Sequence, residues 1–161
     1  MKRLLPAILS LFGIKGTNGP QTAKLEEGIR TTLKSASAKF EKNNHAYMIN
    51  IIHENTVVLQ IVHGGLIEQL REDGNGFNFS FNLPFDNEKE NQAKFLNLEI
   101  SKGFKYYEWE GIPCYAVNVK NDAQKAETFA LLILQDVYGF GIEDVFKLAK
   151  EYPLDKRSTQ R

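Results

Sequence analysis

The spacing of apolar residues along the chain alternates between the helical period of three to four and the two-residue period of a strand. A first helix is predicted from Thr22, a good N-cap, to the Asn43–Asn44 pair. Its apolar positions fall on one stripe: Leu25, Ile29, Leu33, Ala36 and Phe40. This stripe predicts that one face of the helix packs on a core.

Strands are predicted where β-branched and aromatic residues predominate, at 45–53, 56–63, 77–83, 104–110 and 112–119. The first two flank Glu54 and Asn55, a gap short enough for a hairpin. In the third, phenylalanines alternate with polar residues, which is typical of an antiparallel strand with one buried face. The last two flank Gly111 and form a second hairpin.

A second helix is predicted over 88–102, with Asn87 and Glu90 as a capping pair and Gly103 after its end. Its apolar residues separate into a stripe of Ala93, Leu96 and Ile100 and a pair beside that stripe, Phe95 and Leu98. The stripe is expected to face the core.

The final helix is predicted from Asp122 to about Tyr152, with a break or kink near Gly139 and Gly141. Its middle, 129–134, is continuously apolar, which a helix with a single buried face does not require. One stripe is expected to lie on the sheet, and the second is expected to need a further cover. We predict that this surplus apolar surface binds a protein partner through Leu131, Leu134, Tyr138, Phe95 and Leu98.

Together these elements predict an α+β fold, in which helices pack on one face of a mostly antiparallel five-stranded sheet. The predicted order is α-β-β-β-α-β-β-α. The predicted organisation is an apolar N-terminal segment and linker at 1–21, a single domain at 22–152 and a polar tail at 153–161.

The N-terminal segment is open to three interpretations. Lys2 and Arg3 precede an apolar stretch from Leu4 to Ile14, which resembles the start of a secretory signal but lacks a good cleavage site. The stretch is also shorter than the roughly 20 residues that span a bilayer. The segment is therefore a short helix docked on the domain, an envelope anchor or partner-binding arm, or a signal peptide.

Composition narrows the function classes. The 20 Lys and Arg residues balance 20 Asp and Glu residues, so the chain as a whole has no charge that attracts nucleic acid or an anionic membrane. The single cysteine, Cys114, cannot form an internal disulfide, which fits a reducing compartment and predicts a cytoplasmic location. Its place in a predicted strand indicates a buried, inert thiol.

The histidines do not form a metal-binding pattern. His45, His53 and His63 match no ligand spacing, and a two-residue hairpin would pair His53 with Thr56 and His63 with Ala46. This pairing puts His63 on the face opposite to the other two. We therefore predict no metal site, and no cofactor motif is present either.

An alternative function is suggested by an aromatic cluster, which consists of Phe104, Tyr106, Tyr107, Trp109 and Tyr115. Such a cluster around Trp109 would suit a small-ligand-binding or enzymatic domain. Glu108 and Glu110 share a strand face beside it, but nothing in the sequence orients them as an acid–base pair. Core packing is the simpler interpretation, and we predict no catalytic residue.

Several short strings resemble a known group of proteins. They are Gly103–Phe104 after the second helix, the strand end YAVNVK at Lys120, and the string from Leu134 to Gly139. With the element order, they resemble the type III secretion chaperone-like fold and, within it, the bacterial YbjN and TY-Chap proteins. The resemblance implies a non-enzymatic, often dimeric module that binds a protein segment. We therefore predict a chaperone-like or adaptor module that acts as a homodimer or with another protein.

Overall fold

The structure, a computed structural model, describes residues 21–43, 47–54, 56–73, 79–141 and 143–151. Within these ranges the chain has an α+β fold with three helices and an open antiparallel sheet. The helices are α1 (Leu25–Asn43), α2 (Lys89–Asn97) and α3 (Ala123–Asp136). The predicted apolar segment before residue 21 and the polar tail lie outside the described residues.

In the described residues, six strands of five to eight residues form the sheet, and one strand of four residues extends it. They are β1 (Gln21–Lys24), β2 (Met48–His53), β3 (Thr56–His63), β4 (Phe79–Pro84), β5 (Lys105–Trp109), β6 (Ile112–Asn118) and β7 (Val145–Glu151). Their order is β1-β7-β2-β3-β4-β6-β5, and every neighbouring pair is antiparallel. The predicted α+β class is confirmed, but the predicted count of five strands omits β1 and β7.

The main core lies between the sheet and the helices, which pack on one face as predicted. The predicted stripe of α1 is confirmed at Ile29, Leu33 and Ala36, which are buried in this core. On α3, the ring of Phe129 lies 6.0 Å from the ring of Phe81 in β4. Phe129 of α3 therefore contacts the phenylalanine face of β4, as the alternation in that strand predicts.

A β-bulge in the first hairpin corrects the predicted histidine arrangement. His53 does pair with Thr56, but the register shifts between Ile51 and Ile52, so one extra residue lies on β3. As a result the backbone N–H of His63 donates to the carbonyl of Tyr47 at 3.0 Å instead of pairing with Ala46. The shift by one residue turns His63 onto the same face as His53, because strand side chains alternate.

The predicted stripe of α2 is wrong. Phe95 is fully buried, whereas Leu96 is 50% exposed and Ala93 is exposed. The capping pair does not form either, because Asn87 adopts a positive φ of 60° and the N-cap is Glu88. The helix ends at Asn97, and a 3-10 turn follows it, so two helical segments of different phase replace the single predicted helix.

The end of α3 is also corrected. Gly139 adopts a φ of +74°, and its N–H donates to the carbonyl of Gln135 at 2.9 Å, which closes the helix. The chain then returns as β7 between β1 and β2, where a helix to Tyr152 was predicted. The apolar residues of β7 fit both the helical period and the two-residue period of a strand. The segment forms a strand because β1 and β2 are available to pair with it.

The predicted start of α1 at Thr22 is too early for the same reason. Gln21–Lys24 is strand β1 and pairs antiparallel with β7, so the helix begins only at Leu25. Both errors come from one structural unit, since β1 and β7 pair with each other across nearly the full length of the chain.

Candidate functional site

The predicted partner-binding residues do not form one surface. Phe95 and Leu134 are completely buried in the main core. Leu98, Leu131 and Tyr138 are partly buried and pack against the same core from its periphery. A partner can therefore reach parts of the last three side chains in the folded chain, whereas contact with Phe95 or Leu134 would require the core to open.

Tyr138 belongs to an aromatic cluster at the C-terminal end of α3. Its ring stacks on Phe140 at 5.7 Å, and Phe140 contacts the rings of His53 at 4.5 Å and Phe146 at 4.9 Å. Burial, with a contribution from the Glu88 carboxylate, raises the pKa of Tyr138. These contacts explain Tyr138 and His53 as packing residues where α3 stops over the sheet.

The aromatic cluster around Trp109 is divided between the two faces of the sheet. Tyr106 and Tyr115 lie on the helix side, where their ring centroids are 5.3 Å apart. Tyr107 and Trp109 alternate with Tyr106 along β5 and so lie on the other side. The arrangement removes the basis for a single ligand pocket that combines these rings.

Residues that chemistry would need are similarly separated. Glu108 lies in β5 and Glu110 in the following turn, and both are exposed. Cys114 is 1% exposed, as predicted, and burial raises the pKa of its thiol to about 11. Within the described parts of the chain, no group of three or more histidine, cysteine, aspartate or glutamate side chains is arranged as a metal site.

The strand β5 is the more informative feature, because it lies at an edge of the described sheet. It pairs with β6 in one unbroken register and contains neither proline nor a bulge. The loop to β6 consists of Glu110 and Gly111, both with positive φ, at 48° and 80°. These values define a type I′ hairpin, in which the flanking residues Trp109 and Ile112 form a hydrogen-bonded pair.

This hairpin geometry determines which backbone groups face outward. Since hydrogen-bonded and non-hydrogen-bonded pairs alternate, Lys105, Tyr107 and Trp109 direct their N–H and C=O groups towards β6. Tyr106 and Glu108 direct theirs away from β6, where no described strand follows. We call the outward row of Tyr106 and Glu108 the β5 edge.

The helix side of this edge is unusually apolar. Tyr106 is 55% exposed and Leu96 of α2 is 50% exposed, so both are among the most exposed large apolar side chains of the described residues. Their elements meet at Tyr115, whose ring lies 5.3 Å from Tyr106 and 5.2 Å from Phe95 of α2. Exposed apolar side chains therefore accompany outward backbone groups at the same end of the sheet.

The face of the sheet away from the helices carries a row of hydrogen-bonded polar side chains. The Tyr107 hydroxyl donates to Oδ1 of Asn82 at 2.8 Å, and Nδ2 of Asn82 donates to Oε1 of Gln60 at 2.7 Å. Nε2 of Gln60 in turn donates to Oδ1 of Asn50 at 2.9 Å. We call these four residues the amide ladder; it links β5 to β4, β3 and β2.

Local sequence patterns predicted neither the β5 edge nor the amide ladder. The ladder did leave a signal at Asn50 and Gln60, which are polar residues flanked by apolar residues in β2 and β3, whereas Asn82 follows the regular polar alternation of β4. Their alignment depends on strand pairing, which puts Gln60 opposite both Asn50 and Asn82. Asparagine and glutamine at such positions are worth testing as cross-strand partners.

No protein-family model, curated protein or solved structure matches this chain. Among the helices that the structure describes, none has the length and apolar character needed to cross a membrane.

Proposed function

We propose that this chain is a non-enzymatic protein-binding module that pairs with a second copy of itself through the β5 edge. The observation that supports this function is the outward row of backbone groups on a regular strand with neither proline nor bulge. Edge strands of this kind accept an added strand through main-chain hydrogen bonds. The product would be a homodimer with one continuous antiparallel sheet.

The β5 edge is complementary to itself. In an antiparallel pair centred on Tyr107, Tyr106 of each copy lies opposite Glu108 of the other, and these are the residues whose backbone groups point outward. Lys105 of each copy then lies opposite Trp109 of the other, near Glu110. Opposite charges at the two ends of the strand therefore meet, whereas a register shifted to bring Glu108 opposite its own copy is repulsive.

Side chains beside the edge extend this interface. Leu96 and Tyr106 lie on the helix side and lose exposed apolar surface if a second sheet edge and its helix approach. Five residues of strand alone bury less than the roughly 1,200 Å² of a stable interface, so contacts from α2 are a necessary part of the proposal.

We further propose that the dimer acts as a chaperone-like or adaptor module in a bacterial assembly. The resemblance to the YbjN and TY-Chap proteins supports this role. In the dimer, Leu98 and Leu131 would stay available for a further protein partner. A cytoplasmic location is supported by the single, buried thiol of Cys114.

The proposal is tested by removing one outward donor while keeping the strand. Glu108→Pro deletes an N–H that β6 does not use, and proline is compatible with the outer side of an edge strand. We expect size-exclusion chromatography with light scattering to give a dimer for the unmodified chain and a monomer for Glu108→Pro. The matched control, Glu108→Gln, keeps the N–H and should remain dimeric.

Circular dichroism must show that both variants keep the fold. The proposal is overturned if the unmodified chain is monomeric at high concentration. It is also overturned if the Glu108→Pro variant is folded and still dimeric.

A further inference from the structure

The strand that forms the β5 edge has little side-chain burial to hold it. None of its five residues is buried; Lys105, Tyr106 and Glu108 are exposed, and Tyr107 and Trp109 are partly buried. Backbone hydrogen bonds to β6 are therefore its main attachment. An edge strand attached on one side exchanges and frays more readily than a central strand, and a fraying edge is a poor template for another strand.

The side chain of Tyr107 bonds to a strand that is not the neighbour of β5. Its register partner is Cys114 of β6, yet its hydroxyl bonds to Asn82 of β4, on the far side of β6. The intervening position is Ala116, which is paired with both Asn82 and Lys105 and carries only a methyl group. The small side chain leaves room for the tyrosine ring to lie across β6, where it packs against a second apolar cluster.

The side-chain hydrogen bonds of the amide ladder all have the same direction. Each donor in the amide ladder points from β5 towards β2, through Asn82 and Gln60 to Asn50. Gln60 is 2% exposed and Asn50 is 1% exposed, so the inner end of the ladder is shielded from water, whereas Tyr107 and Asn82 at its outer end are partly buried. Hydrogen bonds aligned in this way polarise and strengthen one another.

We propose that Tyr107 is the positioning residue of the β5 edge, whose hydroxyl fixes β5 against the centre of the sheet through the amide ladder. A slip of β5 by two residues keeps the same face but replaces Tyr107 by Lys105 or Trp109, and the hydroxyl that reaches Asn82 is lost. The ladder therefore selects the register in which Tyr107 pairs with Cys114, and this fixes where Tyr106 and Glu108 lie along the edge of the sheet. The role of Tyr107 in dimer formation rests on the proposed function, whereas its role in holding β5 does not.

The test uses the full chain and two matched variants. Tyr107→Phe keeps the ring and removes the hydroxyl from the ladder. Tyr106→Phe removes the neighbouring hydroxyl, which lies 3.5 Å from Glu108 on the other face and outside the ladder. Hydrogen exchange followed by mass spectrometry reports the β5 amides that bond to β6, with the amides of β2 as an internal reference.

We expect Tyr107→Phe to speed exchange of the β5 amides by about five- to tenfold, the effect of losing one net hydrogen bond. Exchange in β2 and the midpoint of global unfolding should change much less. Tyr106→Phe should exchange within about twofold of the unmodified chain. The dimer dissociation constant should rise with Tyr107→Phe by a factor similar to that of the local exchange.

Equal β5 exchange in the two variants overturns the proposal. So does an increase that Tyr107→Phe spreads evenly over all strands, because that outcome assigns the hydroxyl to general stability. If the unmodified chain is monomeric, the proposed function fails, but the exchange comparison still decides whether Tyr107 positions β5.

Discussion

The backbone of Gly64 lies directly against the hydroxyl of Ser80, since a Cβ added to the glycine would be 2.8 Å from Oγ of the serine. Ser80 is fully buried in β4, and its Oγ has no hydrogen-bond partner among the described residues. The close approach lets the segment after β3 turn onto the sheet face that lacks the helices. There Ile67 and Leu70 of this segment close a second, smaller core.

This contact predicts a non-additive pair of substitutions. Gly64→Ala should reduce the free energy of unfolding by about 1–3 kcal/mol, because its methyl group overlaps a buried atom. Ser80→Ala should be neutral or stabilising, since it removes a buried hydroxyl that makes no bond. In the double variant the nearest Ser80-derived atom is Cβ, 3.9 Å away, so most of the loss should be recovered.

Urea unfolding of the four proteins measures the coupling. Additive effects would show that the loss in Gly64→Ala comes from the backbone of the turn and has no connection with Ser80.

A second prediction separates core from periphery on α3. Leu134→Asp should cost about 4 kcal/mol or more and abolish folding in a marginally stable protein, because it puts a charge into the main core. Leu131→Asp, at a partly buried position on the same helix, should cost about 1–2 kcal/mol and leave the far-ultraviolet circular dichroism spectrum intact. A folded Leu134→Asp variant that has lost only its partner binding would restore Leu134 as a surface residue.

A third prediction concerns the link between α1 and α3. Nε of Arg30 donates to both carboxylate oxygens of Glu127, at 3.1 and 2.9 Å, and the Glu127 side chain is 8% exposed. Arg30→Ala should reduce the free energy of unfolding by about 1–2 kcal/mol, because the buried carboxylate of Glu127 loses its partner and water cannot fully replace that bond. The loss is smaller than for a fully buried pair, since Arg30 is half exposed.

The exposed pair Lys94 and Glu90 provides the control, since both of its side chains lie in solvent. Lys94→Ala should leave the unfolding midpoint within experimental error. Equal losses for Arg30→Ala and Lys94→Ala would remove the special role of the α1–α3 pair.

A fourth prediction is a pH dependence that comes from Cys114. Burial raises the pKa of its thiol from about 9 to about 11, so the folded chain keeps a proton that the unfolded chain releases. Stability from this group is complete below pH 9 and falls as the pH rises towards 11, by up to about 2–3 kcal/mol. The fall in urea-unfolding free energy over this range should be smaller in Cys114→Ala, which also removes the contribution of Cys114 to the raised pKa of Tyr107. Parallel pH profiles would mean that the thiol titrates normally.

Local sequence patterns predicted the parts of the fold that depend on neighbouring residues. The strand β3 was predicted with its observed bounds, and the hairpin around Gly111 follows from a turn that needs positive φ at Glu110 and Gly111. The phase of α2 was not predictable in this way, because Phe95 and Leu96 are adjacent and either could have faced the core. The choice of Phe95 depends on Tyr115 and Phe104, which come later in the chain.

For the candidate site, the sequence alone predicted a strand with alternating faces at 104–110, of which the structure forms Lys105–Trp109. It did not predict that this strand is an edge, because a two-residue period specifies the face of a side chain and leaves the neighbouring strand open. The same limit applies to the amide ladder, whose members come from four strands.

The amino-acid sequence by itself determined the α+β class, the face of β4 that carries Phe79 and Phe81, and the buried stripe of α1. Each of these depends on a period that is visible within a few turns or strand residues. Tertiary structure alone decided that the chain after Gly139 becomes β7 and that β5 is an edge. Those outcomes depend on which strands are available to satisfy backbone N–H and C=O groups, and that is a property of the assembled sheet.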